Sequence, residues 1–181
     1  MKTTSLPGFE SPAVGVEQPF EMLHACHDRV RRSLALLGRL IEHIDRHGHD
    51  EKSRSAAQDV LRYFDIAAPL HHQDEELHVF PALADCEPDL RAAVLKLHED
   101  HERMESLWLR LRLVLVSWSS AAASGGIGEE ARSLASQFEA VYGMHLKIEE
   151  KLVFPAARER MSDAALAEMS DDMRRRRSVA V

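Results

Sequence analysis

His71-His72-Gln73-Asp74-Glu75-Glu76-Leu77-His78-Val79-Phe80-Pro81 reappears 74 residues later as His145-Leu146-Lys147-Ile148-Glu149-Glu150-Lys151-Leu152-Val153-Phe154-Pro155. The same offset lays Leu23-His24-Ala25-Cys26-His27-Asp28-Arg29 on Leu97-His98-Glu99-Asp100-His101-Glu102-Arg103. Each half of the chain therefore carries HisxxHis and then, 44 residues beyond His27 or His101, HisxxxGluGluxxValPhePro. Self-similarity of this kind marks a duplicated structural unit.

Outward from the repeat, the apolar positions keep a helical period. Phe20, Leu23, His27, Val30, Leu34, Leu37, Ile41 and Ile44 alternate steps of three and four, as one buried helical stripe requires, and Gly48 suits the end of that helix. A second stripe runs through Val60, Phe64, Ala67, His71, Glu75 and His78, with bends expected at Pro69 and Pro81. Pro88 suits the first turn of a third helix, whose stripe includes Leu90, Val94, Leu97, His101, Met104, Trp108, Leu111, Leu115 and Trp118. A Ser-, Ala- and Gly-rich loop at 119–126 precedes a fourth, which opens with Glu129 and Glu130 and continues through Leu134, Phe138, Val141, His145, Ile148 or Glu149, and Leu152. The pattern predicts an all-α protein: an antiparallel up-down-up-down four-helix bundle over 20–160. Residues 1–19 read as a flexible N-terminal arm, and 161–181 as a short helix with a basic tail whose Arg174–Arg177 run lies in solvent.

Composition narrows the function. The chain of 181 residues is 45% apolar and 29% charged and carries a net charge of −7, with four of its 23 basic residues in that arginine run. An acidic body is a poor nucleic-acid surface, because such binding rests on phosphate neutralisation. No apolar stretch approaches the roughly 18 residues of a membrane span, and no secretory signal is visible. Cys26 and Cys86 are too few for a disulfide framework, so the expected location is cytoplasmic.

Two equivalent helical hairpins bring matching positions together about a pseudo-twofold axis, so four histidines and two glutamates meet at one level. In HisxxxGlu the side chains at i and i+4 stack on one helical face and offer a nitrogen and an oxygen together. The expected metal ligands are His27, His71, Glu75, His101, His145 and Glu149, with Glu75 and Glu149 each bridging two metals. Imidazole and carboxylate without thiolate suit Fe, Mn or Zn. Two imidazoles, two bridging oxygens and a shared oxo, hydroxo or water would leave one open position on each metal for a small molecule.

The stripe also chooses between neighbours. His27 and His101 lie on it and His24 and His98 at its flank, as additional ligand candidates or hydrogen-bond donors behind the site. His71 is preferred to His72, whose repeat partner is Leu146. Glu76 and Glu150 are turned about 100° from Glu75 and Glu149, which suits them to accept hydrogen bonds from ligand imidazoles or face solvent. His78, whose repeat partner is Leu152, suits core or channel lining, with adjustment of one metal as the alternative. His43, His47 and His49 are expected to face water, and Trp108, Trp118, Tyr142 and Cys26 to pack in the core.

With its CysHisAspArg at His27, AspHisGluArg at His101 and doubled HisxxxGluGluxxValPhePro, the sequence over roughly 20–160 resembles the hemerythrin-like family, the HHE cation-binding domains. The resemblance implies a four-helix bundle holding two iron ions with a bridging oxo or hydroxo group, and a small diatomic or peroxide partner. It implies a protein that binds, senses or buffers O2, NO, peroxide or iron, or else a redox enzyme using the same centre, iron-cluster repair included. Oxygen-carrying hemerythrins look like five histidines with HisxxxHis on the third helix; here that helix has His98xxHis101.

Overall fold

The computed structural model describes residues 15–179, whose regular structure is entirely helical. Five rods follow in order. α1 spans Pro19–His47. α2, residues 51–79, is composite: Glu51–Arg62 and Ala68–Asp74 are α-helical, and each runs into a widened π-turn, Tyr63–Ala67 and Glu75–Val79. α3 spans Pro88–Trp118. α4, residues 129–160, joins Glu129–Ile148 to Phe154–Arg160 through a third π-turn, Glu149–Val153. α5 spans Asp163–Val179.

Local chemistry accounts for the ends. Pro19 and Pro88 sit in the first turns of α1 and α3, where a missing N–H costs nothing. Gly48 closes α1 at φ 76°, its amide donating to the Ile44 carbonyl at 2.8 Å, a backbone setting that a side chain would disfavour. Asp50 caps α2 reciprocally: its carboxylate accepts from the Ser53 amide at 2.8 Å, while its own amide donates to the Ser53 hydroxyl at 2.9 Å. His43 reaches the same carboxylate at 3.0 Å and is therefore not simply solvated.

Pro69, Pro81 and Pro155 each stand six residues after the opening of a π-turn. In a regular helix a proline lacks the amide owed to the carbonyl four residues back and its ring clashes with that carbonyl. Widening the turn by one residue relieves the clash, and the amides of Ala68, Phe80 and Phe154 reach back five residues to Tyr63, Glu75 and Glu149. The bends expected at Pro69 and Pro81 thus take the form of π-turns that carry the rods through.

α1 packs on α2 and α4, and α3 packs on α2 and α4, as in a helical bundle. Two apolar cores fill it. One joins Val30–Ile44 positions of α1 to Ala57, Val60 and Phe64 of α2, Met104–Trp118 positions of α3 and Leu134–Leu146 positions of α4. The other joins Phe20, Leu23 and Cys26 to Val79, Phe80, Leu90, Leu97, Val153 and Phe154, with Met169 and Met173 of α5. On every rod from α1 to α4 the predicted site residues fall where one core gives way to the other. No described helix is long and apolar enough to cross a membrane.

The structure corrects the reading of the chain ends. The Arg174–Arg177 run is part of α5; Arg174 and Arg175 do face solvent, but Arg176 and Arg177 turn inward and each lie 2.6 Å from the fully buried Asp74. Arg176 also holds Asp172, which pairs with His78 at 3.0 Å, so His78 serves this junction rather than a channel. At the other end the expected arm lies outside the described residues over 1–14. Val16 is tied down, its carbonyl accepting from the Ser170 hydroxyl at 2.7 Å. Trp108 is only partly buried, donating to Asp65 at 3.0 Å, and is not ordinary core.

Candidate metal centre

α1 to α4 each contribute to one chamber between the two cores. His27, His71, Glu75, His145 and Glu149 are at most 1% exposed and His101 is 6% exposed. Their atoms fall into two groups, His27, His71, Glu75 and Glu149 on one side and His101, His145, Glu75 and Glu149 on the other. The two glutamates belong to both.

The carboxylate oxygens divide evenly between the groups. Glu75 Oε1 lies 3.2 Å from His71 Nε2 and 3.8 Å from His27 Nε2, while Oε2 lies 3.4 Å from His101 Nε2. Glu149 Oε2 lies 3.2 Å from His27 Nε2, while Oε1 lies 3.0 Å from His145 Nε2. His101 Nε2 and His145 Nε2 face each other at 3.2 Å. Both oxygens of Glu75, both of Glu149, His27 Nε2 and His71 Nε2 are buried without a hydrogen-bond partner within the protein. Burying an uncompensated carboxylate costs several kcal/mol, so this chamber is costly to the fold unless something cationic sits among the lone pairs. A hard or borderline divalent ion on each side fits the donor set.

Behind the chamber the halves again match. His27 Nδ1 donates to Glu150 at 2.9 Å and His101 Nδ1 to Glu76 at 2.6 Å, which turns the unprotonated Nε2 of each ring inward. Arg31 holds Glu150 at 2.7 Å. Glu76 and Glu150 thus sit behind ligand candidates, as their angular offset suggested. His145 Nδ1 lies 3.9 Å from Asp100, which is anchored by Lys96, whereas Cys26 occupies the place of Asp100 in the first half and His71 Nδ1 has no partner.

Protonation follows from this arrangement. Burial and the facing Glu149 push the Glu75 carboxyl well above the carboxylate range. Burial works against the Glu149 carboxylate too, but His145 and His27 outweigh it and hold that group well below the range. Burial would depress His145, yet Glu149 and Asp100 carry it up to about 9. Burial and its imidazole neighbours push His71 well below the usual histidine value. One proton among facing carboxylates and one on His145 are what the residues do for themselves when nothing cationic is bound.

The remaining candidates fall outside the two groups. His24 is exposed and edges against Phe154, in a third and partly exposed grouping with His27 and Glu150. His98 is exposed, 4.0 Å from Glu76. The helical stripe passes over His72, yet its ring stacks on His101 at 4.0 Å and 12°, and its Nε2 is buried without a partner. It lines a furrow of about 610 Å³ between α2 and α3, together with Ala68, Glu76, His98, His101 and Tyr142. The available signal was the break in the repeat, where His72 answers to Leu146 and Ala68 to Tyr142.

Comparison with known proteins agrees with this geometry. The sequence model of the family described as hemerythrin HHE cation binding domain matches residues 18–157. An uncharacterized protein of Haemophilus influenzae is 34% identical over 162 residues, covering 90% of this chain and 91% of that protein.

Proposed function

The chain belongs to the hemerythrin HHE cation-binding family, and from that premise we propose that it holds two iron ions between its helices and binds O2, NO or peroxide beside them. The observation that carries this reading is the pair of four-residue groups sharing Glu75 and Glu149. His27 and His71 would hold one ion, His101 and His145 the other, and each glutamate would give one oxygen to either side. Bound iron would supply a redox-active centre and a coordination position for the small molecule.

The protein's own residues do the rest. Glu76 and Glu150 fix the tautomers of His101 and His27, so that both rings present a lone pair inward. Phe154 stacks on His27 at 5.1 Å and Phe80 on His101 at 5.7 Å, which keeps water from the ring faces on the side of the second core. Glu75 and Glu149 bring negative charge to the middle of the chamber, where it offsets part of the charge of two cations.

An up-down-up-down course of α1 to α4 belongs to the same proposal. It is supported by the order in which the rods feed the two cores: α1 and α3 meet the Phe20–Leu97 core first, α2 and α4 meet it last. The three-residue connection from α1 to α2 also suits a reversal. Cys26 and Cys86 are free and buried, which supports a reducing, cytoplasmic setting.

Metal content per chain tests the reading. Protein made in iron-supplemented cells and purified without chelators is expected to carry about two irons by mass spectrometry. Folded protein that holds no metal after anaerobic ferrous reconstitution would sink it.

A further inference from the structure

The repeat makes the two halves of the chamber nearly equivalent, but their surroundings are not. On the α4 side the positions one turn before and one residue after His145 are Tyr142 and Leu146, both 2% exposed and filling the core. Their counterparts on α2 are Ala68 and His72. A small side chain replaces a large one and a polar ring replaces an apolar one. Ala68 and His72 line the furrow between α2 and α3, which opens to solvent past Glu76 and His98.

Of the six chamber residues, only His101 lines that furrow, and it is also the most exposed of the six. The opposite half is shut. His27 is covered by Phe154 and crossed edge-on by His71 at 4.9 Å, and neither ring has measurable contact with solvent beyond 1%. His72 stands at the inner end of the furrow, its ring 4.0 Å from His101 and 6.2 Å from His145. An imidazole nitrogen buried without a partner is costly unless something arrives to meet it.

We infer that the small molecule reaches the chamber on one side only, through the furrow to the His101 and His145 half, where His72 forms a hydrogen bond with it. His72 is then a selectivity residue rather than a metal ligand. It favours a molecule whose bound form offers a polar atom, and the Leu146 position gives the other half no such group. This rests on the two-metal reading of the preceding section and adds to it which half reacts and what recognises the incoming molecule.

Azide added to the diferric protein tests it. His72→Leu copies the residue at the repeat-related position, and Ala68→Leu narrows the furrow without touching a polar group. Both variants are expected to retain two irons per chain. Loss of one hydrogen bond to an anion predicts azide affinity roughly ten- to hundredfold weaker in His72→Leu. Ala68→Leu is expected to slow azide association, with its dissociation rate less affected. In crystals soaked with azide, the anion is expected on the His101 and His145 side, within hydrogen-bond distance of His72.

Azide on the His27 and His71 side would overturn the proposal, as would unchanged affinity and association rate in two fully loaded variants. Loss of one iron in His72→Leu would overturn it differently, by making His72 a ligand. An iron-free wild-type protein would sink the metal reading itself, an outcome distinct from any of these.

Discussion

Glu75 and Glu76 are neighbours in sequence with opposite surroundings, the first fully buried among lone pairs and the second partly exposed behind His101. Glu75→Ala or Glu149→Ala should abolish the binding of two metals, because each removes an oxygen from both groups. Glu76→Ala should retain two metals with affinity lowered roughly 10- to 100-fold, the usual effect of removing a hydrogen-bond partner from a ligand imidazole. Metal titration followed by mass spectrometry distinguishes the two classes, and equal loss at Glu76 would reverse their roles. Proton release gives a second test. His145, raised to about 9 in the metal-free protein, must surrender its proton to offer a lone pair. Apparent metal affinity should therefore rise with pH, by up to about tenfold per unit for this proton over the range below about 9, and this contribution should level off above it. An affinity that falls over that interval would contradict the assignment. The six chamber residues could be selected from the sequence because the offset between halves repeats chemistry that chance does not. His72 escaped the same logic because it lies off the repeat, and only the packing shows that its ring meets His101.

The rods themselves were largely legible from periodicity and punctuation. Pro88, Gly48 and the Glu129-Glu130 pair mark ends that the structure places at the same residues or one away. The π-turns were not legible as such, since a proline within a helical stripe predicts a break or kink and says nothing about how the backbone absorbs it. Their placement has a functional side: two of the three open at Glu75 and Glu149, so the widening that accommodates Pro81 and Pro155 also shifts the register at the shared carboxylates. Pro81→Ala should keep the fold and permit the turn to tighten, weakening metal retention more than thermal stability. Chelator-driven metal release compared with the melting temperature checks this, and parallel changes in both would assign Pro81 to stability alone. The reciprocal cap of α2 gives the converse case. Asp50→Ala should lower the melting temperature by a few degrees and leave metal stoichiometry unchanged, since the cap lies far along α2 from Glu75.

Across the whole molecule, α5 does more than cover an end. Met169 and Met173 are fully buried in the second core, and Arg176 and Arg177 converge on Asp74, the residue before Glu75. Asp74→Ala leaves two guanidinium groups facing a cavity. Breaking a buried pair costs about 3–5 kcal/mol. The two arginines keep 17% and 21% of their side-chain surface, so a loss nearer 2–3 kcal/mol is expected, measured by chemical denaturation of metal-free protein. A change within about half a kcal/mol would mean that the Asp74 pair contributes little to holding α5. The sequence offered little warning of this junction, because a run of four arginines near a terminus has the composition of a solvated tail and its acceptor lies about a hundred residues earlier.

That distance has a consequence in time. Every chamber residue leaves the ribosome before Arg176 and Arg177 do, yet the aspartate beside Glu75 stays without its partners until they emerge. A nascent chain halted at the end of α4 would therefore own all six donors and lack the clasp on one of them. A cation delivered during synthesis would meet an unfinished vessel, one whose Asp74 clasp is completed only by the last turns of α5.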